Sequence, residues 1–231
     1  MSIPMKVIGT LESCFRRKFG TPRQGHLVPT STAKLKIKAE FLPEHSLKGL
    51  EEFSHVWLLF HFHLNTNKTF RCKIHPPRLR GKTIGVFASR SPHRPSPIGL
   101  TLARLERIEG DTLYLSNVDL IDGAPILDVK PYILACDHAP DASSGWIGRH
   151  PPPELKVEFS PSALRDLGGL GPQGKGLKTL ISETLRSDPR NVRDRSQMKE
   201  GKDLALILND CDIHFEVRDG AAVVLTIASL L

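Results

Sequence analysis

Hydrophobic and polar positions alternate with a period of two over much of the first 136 residues. From Ala33 to Phe41 the chain reads AKLKIKAEF, with Ala33, Leu35, Ile37, Ala39 and Phe41 on one side and Lys34, Lys36, Lys38 and Glu40 on the other. Successive side chains of a strand point to opposite faces, so this pattern predicts a half-buried strand. VWLLFHFHLN (Val56 to Asn65) differs: Val56, Leu58, Phe60, Phe62 and Leu64 alternate with Trp57, Leu59, His61 and His63, and both faces avoid charge. Such a strand is central in its sheet or lines a cavity. KTIGVFAS, LTLARLERI, DTLYLSNVDLID and PILDVKPYI add short strands separated by Gly, Pro and Asp turns. That spacing predicts a sandwich or barrel rather than βαβ units, with no amphipathic helix interrupting it.

DHAPDASSGWIGRHPPP (Asp137 to Pro153) then breaks the alternation with small, polar and proline residues. The predicted organisation is a β domain over 1–137, a linker over 138–153 and a smaller α+β domain over 154–231. In the last part a short strand (Leu155 to Phe159) precedes GKGLKTLISETLRSDP, whose Leu177, Leu180, Ile181, Thr184 and Leu185 recur at helical spacing before Pro189 ends the run. Two closing strands, LALILND and HFEVRDGAAVVLTI, carry an Asp219-Gly220 hairpin signal.

Composition narrows the class. The 231 residues are 39% hydrophobic and 25% charged, as expected of a soluble globular protein. Four cysteines, Cys14, Cys72, Cys136 and Cys211, lie far apart without a C-x-x-C, which predicts reduced thiols in a cytoplasm. The N-terminus lacks the apolar core of a signal peptide and no run is long enough to span a bilayer, so membrane and secretory roles are not expected. The net charge of +7 is concentrated: Lys68, Arg71, Lys73, Arg78, Arg80, Lys82, Arg90 and Arg94 fall between Asn65 and Gly99 with no acidic residue among them. That local positive field makes a polyanion the first partner to consider.

Within it lies GVFASRSPHRPSPIGL (Gly85 to Leu100), where Pro92, Pro95 and Pro97 forbid helix and ladder pairing and predict a stiff, extended, cationic loop. An acidic counterpart follows in SNVDLIDGAPILDVKPY, where Asp119, Asp122 and Asp128 come from one strand-turn-strand and Asp122-Gly123 reads as the tight turn. Two other motifs carry less. GLGPQGKG (Gly169 to Gly176) fits the first seven positions of a P-loop, but Gly176 replaces the Ser or Thr that places a hydroxyl on magnesium, and SPSALRDL before it is not a strand. It is expected to be a flexible connection into the helix. His61 and His63 form an H-x-H without a following glutamate, so no metal is predicted; His61 is expected to pack and His63 to line a cavity.

GTPRQG (Gly20 to Gly25), LKGLEEFSHVWLLFHFH (Leu47 to His63), GVFASRSPHRPSPIGL and VDLIDGAPILDVKPY (Val118 to Tyr132) resemble, in order, the successive signatures of the TrmO family, and SETLRSDPR (Ser182 to Arg190) resembles the start of its C-terminal motif. The resemblance implies a single-sheeted antiparallel β-barrel and S-adenosylmethionine-dependent N6-methylation of threonylcarbamoyladenosine at position 37 of tRNA. It also implies a homodimer. Carried over residue by residue, it implies cofactor contacts at Pro22, Arg23, Gln24, Phe62, His63, Arg90, Leu100, Asp119, Leu120, Asp122, Gly123 and Ala124. Arg90 would fork onto the methionine carboxylate, and Leu100 and Phe62 would pack near adenine.

Asp119, Asp122 and His63 are the candidate acceptors for the adenine N6 proton. Arg71, Lys73, Arg78, Arg80, His93, Arg94, Arg190, Arg193 and Arg195 are the candidates for the anticodon stem-loop. The chain departs from the family at Ser96, Ala124 and after Arg190, where Asn191-Val192-Arg193 replaces P-x-Y. A non-catalytic RNA-binding barrel is the competing reading.

Overall fold

The chain enters the fold on a strand that the sequence hardly advertises. β1 (Gly9–Ser13) alternates buried and exposed residues, with Leu11 fully buried, but its polar composition kept it from standing out. The computed structural model describes residues 3–66, 69–79, 81–152, 154–190, 195 and 200–230. Among these, β1 is joined by β2 (Thr32–Ile37), β3 (His55–His61), β6 (Ile98–Glu109), β7 (Thr112–Ser116) and β8 (Ala124–Pro131) in a closed barrel of order β1-β2-β7-β6-β3-β8. A separate two-stranded ribbon pairs β4 (Lys73–Ile74) with β5 (Ile84–Gly85).

Inward residues of alternate positions fill the barrel: Leu11, Leu35, Val56, Leu58, Ala103, Leu113, Leu115 and Ile126 are all nearly inaccessible. Each large aliphatic side chain removed from water in this way contributes about 1.5–3 kcal/mol. β3 is central, as its two uncharged faces predict, pairing with β6 on one side and β8 on the other. Its second face is not sealed, however, and His61 is exposed rather than packed. β6 holds its alternation to Leu105, where a bulge leaves Glu106 unpaired; Glu106 and Arg107 can then both face solvent in succession.

Three expected strands end early. AKLKIKAEF turns into a 3₁₀ segment at Ala39–Phe41, KTIGVFAS keeps only β5 before a 3₁₀ turn at Val86–Ala88, and DTLYLSNVDLID leaves the sheet after Ser116. Short helices α1 (Pro43–Ser46), α2 (Leu134–Asp137) and α3 (Gly145–Arg149) decorate the connections. α3 falls within 138–153, where Trp146 Nε1 donates to the carbonyl of Ala88 at 2.8 Å.

Toward the C-terminus, β9 (Lys156–Phe159), β10 (Leu204–Leu208), β11 (Cys211–Arg218) and β12 (Ala221–Ser229) form a sheet of order β10-β11-β12-β9, covered by α4 (Pro161–Gly169) and α5 (Pro172–Arg186). Asp219 and Gly220 both take positive φ (49° and 74°), as the expected hairpin requires. The five apolar-face positions predicted for α5 are all buried.

α4 was not expected, although SPSALRDL carries its start signal: Ser160 Oγ accepts from the Ala163 N–H at 3.0 Å and Pro161 occupies the first turn. α5 also begins earlier than predicted, so GLGPQGKG is not a flexible connection. Gly174 lies inside α5, and a Cβ there would stand 2.0 Å from the carbonyl oxygen of Leu167 in α4. Close helix packing explains that glycine.

The molecule divides into two compact units. One comprises Met1–Glu12, Ala33–Ser116 and Gly123–Pro151; the other comprises Ser13–Thr32, Asn117–Asp122 and Pro152–Leu231.

Candidate functional site

In the first unit the proline-rich segment is a loop built from its own side chains. Three prolines supply no N–H donors, so the loop carbonyls need donors from elsewhere. Arg94 Nη1 donates to the carbonyls of Ser89 and Ser91 at 3.1 and 3.4 Å, and Asn65 Nδ2 donates to that of Pro92 at 2.7 Å. Ser89 Oγ donates to Val86 O and accepts from the Ser91 N–H, while Ser91 Oγ accepts from the His93 N–H.

The exit is tied to the end of β3, where the Phe62 N–H donates to Pro97 O at 2.8 Å. Gly99 explains why the loop closes on glycine: an added Cβ would meet the Phe60 ring at 2.1 Å. Phe60 in turn meets Phe62 edge-on, with centroids 4.9 Å apart.

This assembly brings Phe62, His63 and the start of β6 together at one end of β3. Phe62 and His63 are half-buried, Arg90 and His93 are exposed, and Leu100 is 47% exposed. Arg94 is half-buried and braces the loop through Nη1. Arg71, Lys73 and Lys82 are exposed, whereas Arg78 is half-buried with Nη1 3.4 Å from His150 O. Arg80 and Arg193 lie outside the described residues.

In the second unit the segment 13–32 packs against the turn 117–122. Asp122 Oδ1 accepts from the Ser13 N–H at 2.8 Å, Oδ2 pairs with Arg16 Nη1 at 2.8 Å, and the Asp122 N–H donates to Phe15 O. Both carboxylate oxygens are therefore engaged, and Asp122 anchors the turn rather than standing ready as a base. Arg16 also reaches Asp210 at 3.0 Å, and the hydrogen bonds it donates to Asp210 and then to Asp122 hold its pKa above the ordinary arginine value.

Ser31 Oγ donates to Val118 O at 3.0 Å and accepts from the Val118 N–H at 2.8 Å. Asp119 is half-buried with Oδ1 sealed from solvent. Pro22 and Leu120 are buried, Gln24 is half-buried and Arg23 is exposed. Gly25 lies so near the Asn117 carbonyl that a Cβ would stand 2.0 Å from its oxygen. Gly123 is exposed just before β8, and Ala124 at its start is buried. Asp128 pairs with Lys130 at 2.9 Å.

Asp188 is 3% exposed, and Arg190 grips its carboxylate in a fork at 2.9 and 3.1 Å while Arg195 Nε approaches at 3.1 Å. A buried carboxylate requires such neutralisation, and both arginines supply it. Ser13, Arg16, Ser31 and Asn65 were not foreseen. No local motif marks them, because each acts on a partner at least 27 residues away.

Known proteins match both parts of the chain. The tRNA-methyltransferase O N-terminal domain matches residues 10–138 and the TrmO C-terminal domain matches residues 152–230. The tRNA (adenine(37)-N6)-methyltransferase of Escherichia coli is 35% identical over 223 residues, 94% of each chain. A putative S-adenosylmethionine-dependent methyltransferase, RcsF, of Pseudomonas aeruginosa is 40% identical over 217 residues, 93% of each.

The mouse tRNA (adenine(37)-N6)-methyltransferase is 59% identical over 132 residues, 56% of this chain. The chain spans 31% of the length of that mouse relative. The crystal structure of TrmO from Pseudomonas aeruginosa superposes with a TM-score of 0.83 at 35% identity, covering 99% of both chains. With two domain matches in order and one solved structure covering nearly the whole chain, this protein belongs to the TrmO family.

Proposed function

We propose that this chain methylates N6 of threonylcarbamoyladenosine at position 37 of tRNA, using S-adenosylmethionine. The observation that carries the reading is the full-length match to TrmO; relatives named as adenine(37)-N6-methyltransferases and as S-adenosylmethionine-dependent or S-adenosylmethionine-binding proteins support it. The domain bounds support a barrel over 1–137, a linker over 138–153 and a C-terminal domain over 154–231.

The residues present suit the cofactor's chemistry. Arg90, exposed on a braced loop, is a donor for a carboxylate; exposed Leu100 and half-buried Phe62 are the apolar groups assigned to the aromatic base. The turn 117–122 and the segment carrying Pro22, Arg23 and Gln24 offer backbone groups already held in place by Ser13, Arg16 and Ser31. When bound, S-adenosylmethionine supplies a methyl group activated by its sulfonium.

What remains to the protein is alignment and acceptance of the N6 proton. Asp119 and His63 are the acceptors in this reading, Asp122 being engaged by Arg16. Of the candidates for the anticodon loop, Arg71, Lys73 and His93 are exposed and meet it in this reading.

No helix among the described residues is long and apolar enough to cross a membrane, and all four cysteines are free thiols. These support action on tRNA in the cytoplasm. On the outer barrel face, Trp57 and Leu59 of β3 lie opposite Leu102 and Leu100 of β6, with Ile133 and Leu134 exposed after β8. That apolar strip supports a homodimer.

Calorimetric titration with S-adenosylmethionine, run beside Arg90→Ala and followed by methylation of a threonylcarbamoylated anticodon stem-loop, tests the reading. Saturable binding weakened at least tenfold by the substitution is expected, with sedimentation giving a dimer mass. Retained RNA affinity with no cofactor binding would instead identify a non-catalytic RNA-binding barrel.

A further inference from the structure

Between Ser13 and Thr32 the chain leaves the barrel and belongs to the same compact unit as the C-terminal sheet. Its fixings there are specific. Phe15 is fully buried and bridges to Leu208 at the end of β10, and the Asn209 N–H donates to Cys14 O at 2.8 Å. Phe19 stacks on Phe215 of β11 with centroids 6.3 Å apart and planes 14° from parallel. At the far end of the segment, Glu183 of α5 accepts from both the N–H and the hydroxyl of Thr30, at 3.0 and 2.6 Å.

Pro22, Arg23 and Gln24 are thus carried on a span fastened at both ends to the C-terminal fold. The turn 117–122 depends on the same span, since Ser13, Phe15 and Ser31 supply its hydrogen bonds.

Arg16 joins these two sets of contacts. One guanidinium nitrogen holds Asp122 at 2.8 Å and the other holds Asp210, in the β10–β11 turn, at 3.0 Å. The arginine and both carboxylates are substantially solvent-exposed, at 42%, 29% and 44% of their side-chain surface, and ion pairs of that exposure add little to stability. A planar fork with two fixed partners does restrict geometry.

We propose that Arg16 is a positioning residue, and that Asp210 acts through it to set the orientation of the 117–122 turn for S-adenosylmethionine. The C-terminal domain thereby shapes cofactor binding as well as any contact it makes with RNA. This rests on the reading that the turn contacts the cofactor.

The test compares the full-length wild type with Arg16→Gln, Asp210→Asn, their double variant and Arg16→Lys, measuring Tm, S-adenosylmethionine affinity by calorimetry, and the KM for cofactor and for RNA separately. The expected result is a five- to twentyfold rise in cofactor Kd and KM for each single variant, with RNA KM and Tm close to wild type. The double variant should be no worse than Arg16→Gln, because both residues act through one fork, and Arg16→Lys should recover part of the loss by keeping one ion pair. Wild-type cofactor binding that Arg16→Gln and Asp210→Asn leave unchanged would overturn the proposal alone, as would losses that simply add. A wild type that binds no S-adenosylmethionine would overturn the underlying reading and the proposal with it.

Discussion

The segments 85–100 and 13–32 are both mostly irregular, both internally hydrogen-bonded and both carry residues assigned to the cofactor, yet they differ in how far their outside fixings reach. The proline-rich segment is braced chiefly from within: Ser89, Ser91 and Arg94 satisfy carbonyls or amides two to five residues away, with Asn65 and Phe62 tying it to the end of β3. Segment 13–32 has short-range bonds of its own, Phe15 N–H to Ser13 Oγ and Thr21 Oγ to Arg17 O among them, but is fastened besides by Leu208, Asn209, Asp210, Glu183 and Phe215. A loop fixed chiefly by nearby residues is a local property of its sequence. One that also borrows distant supports is complete only when another part of the chain has folded.

The largest test of this contrast is Phe15→Ala. Removing a fully buried aromatic costs about 3–5 kcal/mol, and the loss falls on the borrowed supports. In native-state hydrogen exchange the amides of Val118 and Asp122 should lose protection while those of Phe62 and Ile98 keep theirs. Equal loss at all four would erase the distinction.

Gly99→Ala probes the self-braced loop at its closing residue. With the Phe60 ring where a Cβ would go, overpacking should cost about 1–3 kcal/mol in thermal unfolding. Adding Phe60→Leu should return part of that loss. If the double variant unfolds no later than the single, the ring is not what excludes the methyl group.

The smallest expected effect concerns the sheet that supports Phe19. His214, next to Phe215 on β11, lies 3.0 Å from Asp203 and 3.7 Å from Asp212, and its bond to Asp203 raises its pKa above the ordinary value of 6.5. A raised folded-state pKa contributes stability that is complete below the unfolded value and fades as pH rises through the folded one. Tm should therefore fall slightly between about pH 6 and pH 8, and His214→Gln should flatten that slope. An unchanged slope would assign the pH dependence to other groups.

Much of the barrel was legible because its signal is local. Alternation at Ala33–Ile37, Val56–Phe60 and Leu100–Leu105 marks inward and outward faces directly, and Asp219-Gly220 and the apolar stripe of α5 announce themselves in the same way. Where the pattern misled, a local cue was outweighed. The glycines of 169–176 looked like flexibility, but Gly174 is there because two helices touch. Arg94, Arg190 and Arg195 read only as cations, and the fold alone shows the carbonyls and the buried Asp188 that they hold. The start of α4 is written locally in the cap Ser160-Pro161.

By itself the sequence determined the strand periodicity, the stiffness of Pro92–Pro97, the helical face of α5 and the ordered signatures that place the chain in its family, because each depends on residues within a few positions of one another. Only the tertiary structure decided that Asp122 answers to Arg16 and Arg16 to Asp210, that Gly99 yields its place to Phe60, and that segment 13–32 belongs with the C-terminal sheet. The reason is geometric. A hydrogen bond or a packed ring is defined by distances of a few ångströms between atoms that sequence may separate by more than a hundred residues, and nothing local records which of many possible partners the fold will bring within reach.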